Sequence, residues 1–447
     1  MSVRILALGI VEAMLVFSAL FLAFCAGATQ GFAGRLAIYT VMLIGGITLG
    51  CMYCLDVYQP RLATRESTSL AAIVQAIGLA VLVVAIVPDQ WVRIDSASVV
   101  FGMLFVIVAL TASRSLFAEL TTAATLSEPA VVWGSGGLAE ELIRKLSSRP
   151  DFGTRIVGIV DRAYAHGTFA GVPYLGTPEL LWTLTSSGEV RRIIVALEDR
   201  RGHLPVQRLV ALKAGGVRID DGTELYEQLT GKVWLEAFSA SALVFSPRST
   251  SSRVKLFLKR CISAFSAVIA ILISAPVMLL TTVLIKLDSP GPVIFRQRRV
   301  GENGRHFTLY KFRSMKAGSD AATPVPATVD DPRCTRVGKW IRRLHIDELP
   351  QLFNILKGEM YFVGPRPFVL DQENQLVEQI PHYRERWMVR PGATGWAQVH
   401  RGYCASIADN VEKLSYDLFY VKNLSPALDV VTLAKTFKIL ILGRGGR

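Results

Sequence analysis

Two adjacent carboxylates, Asp347 and Glu348, are the residues of this chain whose type and setting point most directly to chemistry. They begin a short helical pattern, in which apolar residues recur at helical spacing, Pro350 suits only a first turn and Gly358 ends the run. The positive end of a helix dipole favours ionised acids, so we expect both carboxylates to be charged. An ordinary solvated helix start is the structural alternative, because an Asp-Glu pair also fits that role.

Basic side chains flank the two acids. Arg342 lies one to two turns upstream, and a Pro-Arg-Pro segment at 365–367 follows downstream. Carboxylates surrounded by guanidinium groups are typical of a site that handles phosphate, with a divalent cation held between carboxylate and phosphate oxygens. The pattern therefore predicts phosphate chemistry, with Asp347 and Glu348 as the metal ligands.

The composition indicates a membrane protein with a basic surface. Of the 447 residues, 51% are hydrophobic and only 19% are charged, and the formal net charge is +13. Such a charge suits anionic lipid head groups, phosphorylated substrates or nucleic acid. Nucleic acid is the least favoured partner, because no run of Lys and Arg is interleaved with aromatic residues.

Four apolar segments open the chain, and each is about long enough to cross the hydrocarbon core of a bilayer. They are residues 5–25, 36–55, 70–87 and 97–113. The arginines between them weakly favour an arrangement in which both ends of this region, residues 1–117, are cytoplasmic. We therefore predict an N-terminal region of four transmembrane helices.

Residues 128–247 have the pattern of an α/β domain. A strand at 130–133 runs into a glycine turn and a helix, and a second strand at 155–160 ends at Asp161. This is the Rossmann order, in which the glycines admit a pyrophosphate at the helix N-terminus. The candidate nucleotide-binding residues are Gly134, Gly136, Gly137 and Asp161. The alternative is a Rossmann-like fold that serves as a scaffold or regulatory module.

Another apolar run, residues 261–285, lies between two basic zones. A spanning helix should have asymmetric flanking charge, whereas both ends of this run are basic. Ser274 and Pro276 lie near the midpoint of the run, where proline removes a backbone donor and kinks a helix. These features favour a re-entrant hairpin that returns to the leaflet it entered, while a kinked fifth span is the alternative. The basic amphipathic helix predicted at 427–446 either lies on the membrane surface or packs on the domain.

The second half of the chain, residues 253–445, resembles the bacterial sugar transferase family, the polyprenyl-phosphate glycosylphosphotransferases. The order of several short motifs carries the resemblance: residues 286–292, 295–301, 311–315, 347–352, 363–367, 391–395 and 416–420. The N-terminal half resembles the long members of this family, which have four spans and a Rossmann-like domain. The stretches 412–420 and 443–447 look most like the exosortase-associated exopolysaccharide branch.

This resemblance implies a two-step reaction with a UDP-sugar and polyprenyl (undecaprenyl) phosphate as substrates. Asp347 is the expected nucleophile, which takes sugar-1-phosphate and releases UMP, and Glu348 is its partner in Mg²⁺ handling or proton management. The expected phosphate- and substrate-binding residues are Lys311, Arg313, Arg342, Pro365, Arg366 and Pro367. The expected location is the bacterial inner membrane, with the catalytic domain on its cytoplasmic face, in contact with membrane lipids and not nucleic acid; a homo-oligomer is compatible with this.

The predicted fold therefore has three parts: the four transmembrane helices, the central α/β Rossmann-like domain, and a C-terminal α+β catalytic domain at 253–447 with the re-entrant hairpin. Two other functions stay open at this stage. One is a glycosyltransferase that releases UDP, although no Asp-x-Asp motif lies at a strand end. The other is a membrane-anchored nucleotide sensor. The released nucleotide, UMP, UDP or none, distinguishes the three.

Overall fold

The computed structural model divides the chain into two compact units, Met1–Thr230 and Gly231–Arg447. It describes residues 3–27, 34–55, 57, 66–86, 96–122, 127–164, 167–198, 204–239, 243, 253–316, 332–402 and 406–442. The first unit contains the N-terminal apolar helices and the α/β sheet. The second unit begins before residue 253, because Val233 packs on its core and donates a backbone hydrogen bond to Ser415.

Four apolar helices begin the first unit, one for each apolar segment of the sequence. They are α1 (Val3–Gly27), α2 (Gly34–Cys54), α3 (Glu66–Ile86) and α4 (Ser96–Thr122). Stretches of α1 and α4 are long and apolar enough to cross a membrane, while the described apolar stretches of α2 and α3 are shorter. Aliphatic side chains of all four helices share one core, which includes Val16, Ile44, Ile73 and Val106.

A fully buried ion pair joins α1 to α4. The Nε and Nη2 atoms of Arg114 donate to the two carboxylate oxygens of Glu12 at 2.7 and 3.0 Å. The Nη1 atom of the same guanidinium donates to the carbonyl of Val57, which follows α2. Glu12 is therefore the carboxylate that pairs with the Arg114 guanidinium, which is buried among apolar helices.

The rest of the first unit is a six-stranded sheet with helices. The strands are β1 (Glu128–Trp133), β2 (Thr154–Val160), β3 (Thr168–Phe169), β4 (Val172–Gly176), β5 (Arg192–Val195) and β6 (Arg218–Asp221). They lie in the order β3-β4-β2-β1-β5-β6, and only the β3–β4 pair is antiparallel. The helices are α5 (Gly137–Ser147), α6 (Leu180–Ser186), α7 (Val206–Ala214) and α8 (Gly222–Thr230). The parallel strands expected from their apolar runs are therefore present.

The second unit begins with α9 (Arg253–Asp288), a helix of 36 residues. The helix is continuous through Ser274 and Pro276, the two residues at which the sequence predicted the turn of a hairpin. Pro276 therefore lies inside one helix. The Ser274 hydroxyl donates to the carbonyl of Ala270 at 2.6 Å. Most large apolar side chains of α9 are exposed, and its stretch Leu256–Asp288 is long and apolar enough to cross a membrane.

Short helices and two small sheets form the remainder of the second unit. The strands are β7 (Ile294–Val300), β8 (His306–Phe312), β9 (Tyr361–Val363) and β10 (Gly392–Thr394). The helices are α10 (Arg336–Arg343), α11 (Gln351–Lys357), α12 (Leu370–Gln379), α13 (Trp396–His400), α14 (Ile407–Lys422) and α15 (Pro426–Ile441). The antiparallel pair β7–β8 and the parallel pair β9–β10 place β8 and the end of β9 where they can supply side chains to one site. The helix α15 exposes Val430, Phe437 and Leu440, so part of the predicted 427–446 amphipathic face is uncovered in this unit.

We expect Glu12→Gln to lower the stability of the first unit strongly. The change replaces the carboxylate that accepts from two Arg114 nitrogens, and breaking a buried ion pair at one partner typically costs about 3–5 kcal/mol. The measurement is the thermal unfolding midpoint of the protein in lipid nanodiscs. The exposed Glu119→Gln is the matched control, with an expected effect within about 0.5 kcal/mol. An unchanged midpoint for Glu12→Gln would show that the ion pair does not hold these helices together.

Candidate active site

The two acids lie in a tight turn between α10 and α11. Chain direction changes at His345, whose φ of 57° is a left-handed conformation, and a 3-10 turn, Ile346–Glu348, follows. The helix α11 begins only at Gln351, with Pro350 as its N-cap. The predicted placement of the acids in the first turn of that helix is therefore wrong. Because Pro350 has no N–H to donate, α-helical hydrogen bonding starts after it.

Glu348 is the point at which three separate parts of the second unit meet. Lys311 from β8 and Arg366 from the loop after β9 each donate to its Oε1 atom at 2.7 Å. Burial alone would raise the pKa of Glu348, but the charges of Arg366 and Lys311 hold it well below its ordinary value. Glu348 in turn raises the pKa of Arg366. This carboxylate is therefore ionised and fixes the two cations.

Asp347 has the opposite electrostatic character. Its side chain is buried, and burial raises its pKa above 3.8, with the negative charge of Glu348 acting in the same direction. The charges of Lys311 and Arg342 lower this pKa but do not reverse the shift. For Asp347, the direction of the pKa shift is opposite to the one that the helix dipole and the arginines favour. Desolvation and a neighbouring like charge outweigh them there. The pair thus contains one carboxyl with a lowered pKa and one with a raised pKa.

The other predicted phosphate-binding arginines have different surroundings. Arg342 contributes its charge to Asp347, and its Nη1 atom contacts the Cys334 sulfur at 3.1 Å. Arg313 is buried, and it donates to the Ser289 and Pro290 carbonyls at 2.6 and 2.9 Å. These contacts close the chain at the end of α9, a structural role that differs from the predicted contact of Arg313 with phosphate.

The Pro-Arg-Pro segment is held by its backbone carbonyls. The N–H of Gly392 donates to the carbonyl of Pro365 at 3.0 Å. Arg299 donates to the carbonyl of Pro367 at 3.0 Å, and Arg386 donates to the carbonyl of Arg366 at 2.8 Å. The sequence analysis assigned no supporting role to either of these arginines. Arg299 belongs to the 295–301 motif. Arg386 lies outside all the motifs, so the sequence analysis had no reason to select it.

Asn354 is a second residue that the sequence analysis missed. Its side chain, on α11, is completely buried. The amide group makes hydrogen bonds to the backbone of β8, as the backbone of a neighbouring strand would. The Oδ1 atom accepts from the N–H of Tyr310 at 3.1 Å, and the Nδ2 atom donates to the carbonyl of Thr308 at 2.7 Å. Asn354 therefore fixes the helix that follows the acids against the strand that carries Lys311.

The glycine turn of the α/β domain contains an internal carboxylate. The Oε1 atom of Glu198 accepts a hydrogen bond from the N–H of Gly137 at 3.2 Å, and a Cβ atom at Gly136 would lie 2.2 Å from the same oxygen. Gly134 has a φ of 130°, which suits glycine. This is the position that a pyrophosphate would take in a dinucleotide-binding turn. In this structure the exposed Glu198 side chain places its carboxylate at that position.

The predicted acid at the end of β2 is also committed to local contacts. The Oδ1 atom of Asp161 accepts from the N–H of Ala163 at 3.0 Å, and its carbonyl accepts from the Tyr174 hydroxyl at 3.0 Å. Such side chain-to-backbone contacts are typical of turns. In this structure Asp161 therefore stabilises the turn that follows β2.

The second unit thus combines a long apolar helix with a buried cluster of two acids, Lys311 and Arg366. Residues 254–443 match the family model described as bacterial sugar transferase, and residues 53–211 match the model described as a CoA-binding domain. A relative from Xanthomonas campestris pv. campestris, a UDP-glucose:undecaprenyl-phosphate glucose-1-phosphate transferase, is 32% identical over 77% of this chain and 72% of its own length. The chain belongs to the bacterial sugar transferase family.

Two further relatives have related names. A UDP-N-acetylgalactosamine-undecaprenyl-phosphate N-acetylgalactosaminephosphotransferase from Aeromonas hydrophila is 46% identical over 50% of this chain and 52% of its own length. An undecaprenyl-phosphate glucose phosphotransferase from Komagataeibacter xylinus is 35% identical over 71% of this chain and 60% of its own length. The chain therefore spans about half of the first of these proteins. Their names differ in the sugar, so the match does not assign one.

Activity that needs the Asp347 carboxylate should depend on pH in a predictable direction. Because the pKa of Asp347 is raised, we expect the acid limb of kcat/KM to lie above pH 3.8. Glu348 raises this pKa and Lys311 lowers it, so Glu348→Gln should move the limb to lower pH and Lys311→Met to higher pH. Asp371→Asn, at an exposed acid on α12, should leave it in place. Shifts of the same sign in the first two variants would contradict this assignment.

Proposed function

We propose that this protein is an initiating phosphoglycosyl transferase. It moves sugar-1-phosphate from a UDP-sugar to polyprenyl (undecaprenyl) phosphate and produces polyprenyl diphosphosugar and UMP, for exopolysaccharide or other lipid-linked glycan synthesis. The observation that carries the proposal is the meeting of Lys311 and Arg366 on Glu348, directly beside the buried Asp347, inside the region that matches the sugar transferase model. The names of the relatives support the same substrates.

The first step forms a bond between the Asp347 carboxylate and the phosphorus attached to the sugar. The phosphoanhydride bond to the uridine phosphate breaks, and UMP leaves with the bonding electron pair. A buried carboxylate is poorly solvated, which makes its ionised form a better nucleophile than a hydrated one. Phosphoryl transfer depends on positioned positive charge, and Lys311, Arg342 and Arg366 supply that charge around Asp347.

The second step regenerates the carboxylate. An oxygen of polyprenyl phosphate attacks the same phosphorus, the bond to Asp347 breaks, and the sugar-phosphate leaves on the lipid. Glu348 makes no bond to the reacting phosphorus in this scheme. Its charge keeps Lys311 and Arg366 in place through both steps, because both cations are bonded to one of its oxygens.

The donor set around the acids fits Mg²⁺. This ion binds through one or two carboxylates and keeps water or substrate phosphate oxygens in its other positions. Asp347 and the Oε2 atom of Glu348 would supply the carboxylate oxygens, because Lys311 and Arg366 already donate to the Oε1 atom of Glu348. The described part of the chain contains no group of three or more acidic, His or Cys side chains that could hold a metal ion. When bound, Mg²⁺ would neutralise charge on the diphosphate of the nucleotide sugar.

We also propose that α9 is re-entrant and that the second unit lies on the cytoplasmic face of the bacterial inner membrane. Near the start of α9, Arg260 donates to the carbonyls of Ile355 and Leu356 at the end of α11. At the other end of α9, the Asp288 carboxylate accepts from the N–H of Val337 at 3.0 Å. Both ends of the helix therefore contact the same small domain.

A straight helix would separate these ends by more than a bilayer core. Asp288 lies 28 positions after Arg260. A straight helix rises about 1.5 Å per residue, so the two residues would be about 42 Å apart, against a hydrocarbon thickness of about 30 Å. Yet Leu349, just before the seven-residue α11, packs with the cluster around Ala267 and also with the cluster around Ile285. A helix that crossed the membrane would place these two contacts on opposite sides, so the contacts support a helix that returns.

We expect cysteine labelling to place the two units on one side of the membrane. In a cysteine-free background, Glu189→Cys in the α/β domain and Arg384→Cys in the second unit introduce exposed thiols. An impermeant maleimide should label neither in intact spheroplasts and both after permeabilisation. Labelling of Arg384→Cys alone in intact spheroplasts would indicate that α9 crosses the membrane.

Covalent catalysis gives the sharpest test of the function. Without lipid acceptor, the enzyme should carry sugar-phosphate on Asp347 and release one UMP per active site. Asp347→Asn should abolish both the adduct and turnover, because the amide is not a nucleophile. Glu348→Gln should retain some chemistry at a rate lowered by about 10²–10⁴-fold, since the two cations lose their common anion.

Peptide mass mapping of the trapped enzyme locates the adduct, and Asp371→Asn serves as the control for an exposed acid outside the site. An adduct on Glu348, or turnover by Asp347→Asn, would contradict the assigned nucleophile. Release of UDP in place of UMP would identify a glycosyltransferase instead.

A further inference from the structure

Arg386 is the most heavily bonded buried side chain behind the active site. It lies in the 3-10 turn Tyr383–Met388 and is 2% exposed. Its guanidinium donates to Asp417 at 2.9 and 3.2 Å, to Glu373 at 3.1 Å and to the Tyr383 hydroxyl at 2.8 Å. The Nη2 atom that contacts Asp417 also donates to the carbonyl of Arg366 at 2.8 Å.

We propose that Arg386 is a positioning residue, which acts on the reaction by fixing the backbone of Arg366. This inference rests on the proposed transferase function. Arg366 is bonded at both ends: its carbonyl accepts from Arg386, and its guanidinium donates to Glu348 at 2.7 Å. Arg386 itself does not take part in any contact with Asp347 or Glu348 among those described, so its effect passes through Arg366.

The neighbouring prolines leave one backbone freedom that Arg386 removes. Proline fixes its own φ at 365 and 367, and Pro367 also restricts the residue before it to extended conformations. The orientation of the Arg366 carbonyl within that extended range is still variable, and the hydrogen bond from Arg386 fixes it. Since the Arg366 side chain leaves from the same α-carbon, this contact helps to set the direction of its guanidinium toward Glu348.

The cost of burying this network argues for a positional role. Two carboxylates, Glu373 and Asp417, and the Arg386 guanidinium are each at most 2% exposed. Buried ion pairs are weak contributors to stability, because desolvation offsets most of the attraction, and apolar residues of similar size often replace them without loss. What apolar residues cannot replace is a donor aimed at the Arg366 carbonyl. A misplacement of about 1 Å in such a supporting contact can lower a rate by about 10²-fold.

The test is a double-mutant cycle on the full-length, membrane-embedded enzyme. Arg386→Lys keeps the positive charge but cannot reach all four acceptors, so we expect kcat to fall by about 10–100-fold with little change in KM for the UDP-sugar. If Arg386 acts through Arg366, the double variant with Arg366→Lys should be no slower than the slower single variant, within about threefold.

The matched control is Arg192→Lys. Arg192 is also 2% exposed and bonds Asp220 and Thr154, but it belongs to the α/β domain. Arg192→Lys also disturbs a buried ion pair and should therefore lower stability. Its effect on kcat should be small, and in the double variant with Arg366→Lys the two fold-decreases in kcat should multiply. The proposal would be overturned if the fold-decreases in kcat of Arg386→Lys and Arg366→Lys also multiply in their double variant.

Hydrogen–deuterium exchange of the substrate-free protein gives a readout that does not depend on activity. Peptides that cover residues 364–368 should exchange faster in Arg386→Lys, and in the second variant Asp417→Asn, than in wild type or Arg192→Lys. Unchanged exchange in both variants would overturn the proposal even if the rates fall. An inactive wild-type enzyme would count against the transferase function alone, while faster exchange would still support the contact.

Discussion

The site depends on one carboxylate oxygen that is shared by two cations. The Oε1 atom of Glu348 holds Lys311 from a strand and Arg366 from a loop, although neither is close to it in sequence. Two buried carboxyls so close together do not both ionise easily, because the negative charge of each raises the pKa of the other. The structure resolves this conflict by pairing one acid fully and leaving the other, Asp347, with a raised pKa. The difference between two adjacent acids of similar chemistry is therefore set by which one the cations reach.

The side chains around that oxygen are held by partners that are not themselves near the acids. Asn354 replaces a strand partner for β8, and Arg386 holds the carbonyl behind Arg366. Each uses a side chain to satisfy backbone groups that no neighbouring strand reaches. The active site is thus assembled from short elements, and its precision comes from buried polar side chains more than from a large sheet.

The sequence predicted the acids, Lys311 and Arg366 because their motifs have a recognisable order. It could not predict the supporting residues Asn354 and Arg386. Nothing in the local sequence distinguishes a buried Arg or Asn from a solvated one, because the partners of the buried residue are distant in the chain. The start of α11 was misplaced because helical spacing of apolar residues began before Pro350 allowed α-helical bonding. In the first unit, apolar length predicted the four helices, but the Glu12–Arg114 pair spans 102 positions and leaves no local pattern.

The Glu198 contact at the glycine turn has a consequence for the α/β domain as a whole. In a nucleotide-binding protein, a turn of this kind is completed by a phosphate oxygen that accepts from the backbone N–H groups at the helix start. Here the chain provides the anion itself, and the N–H of Gly137 is satisfied by Glu198. The carboxylate of Glu198 thus accepts, within the chain, a hydrogen bond that a phosphate oxygen accepts in a dinucleotide-binding turn.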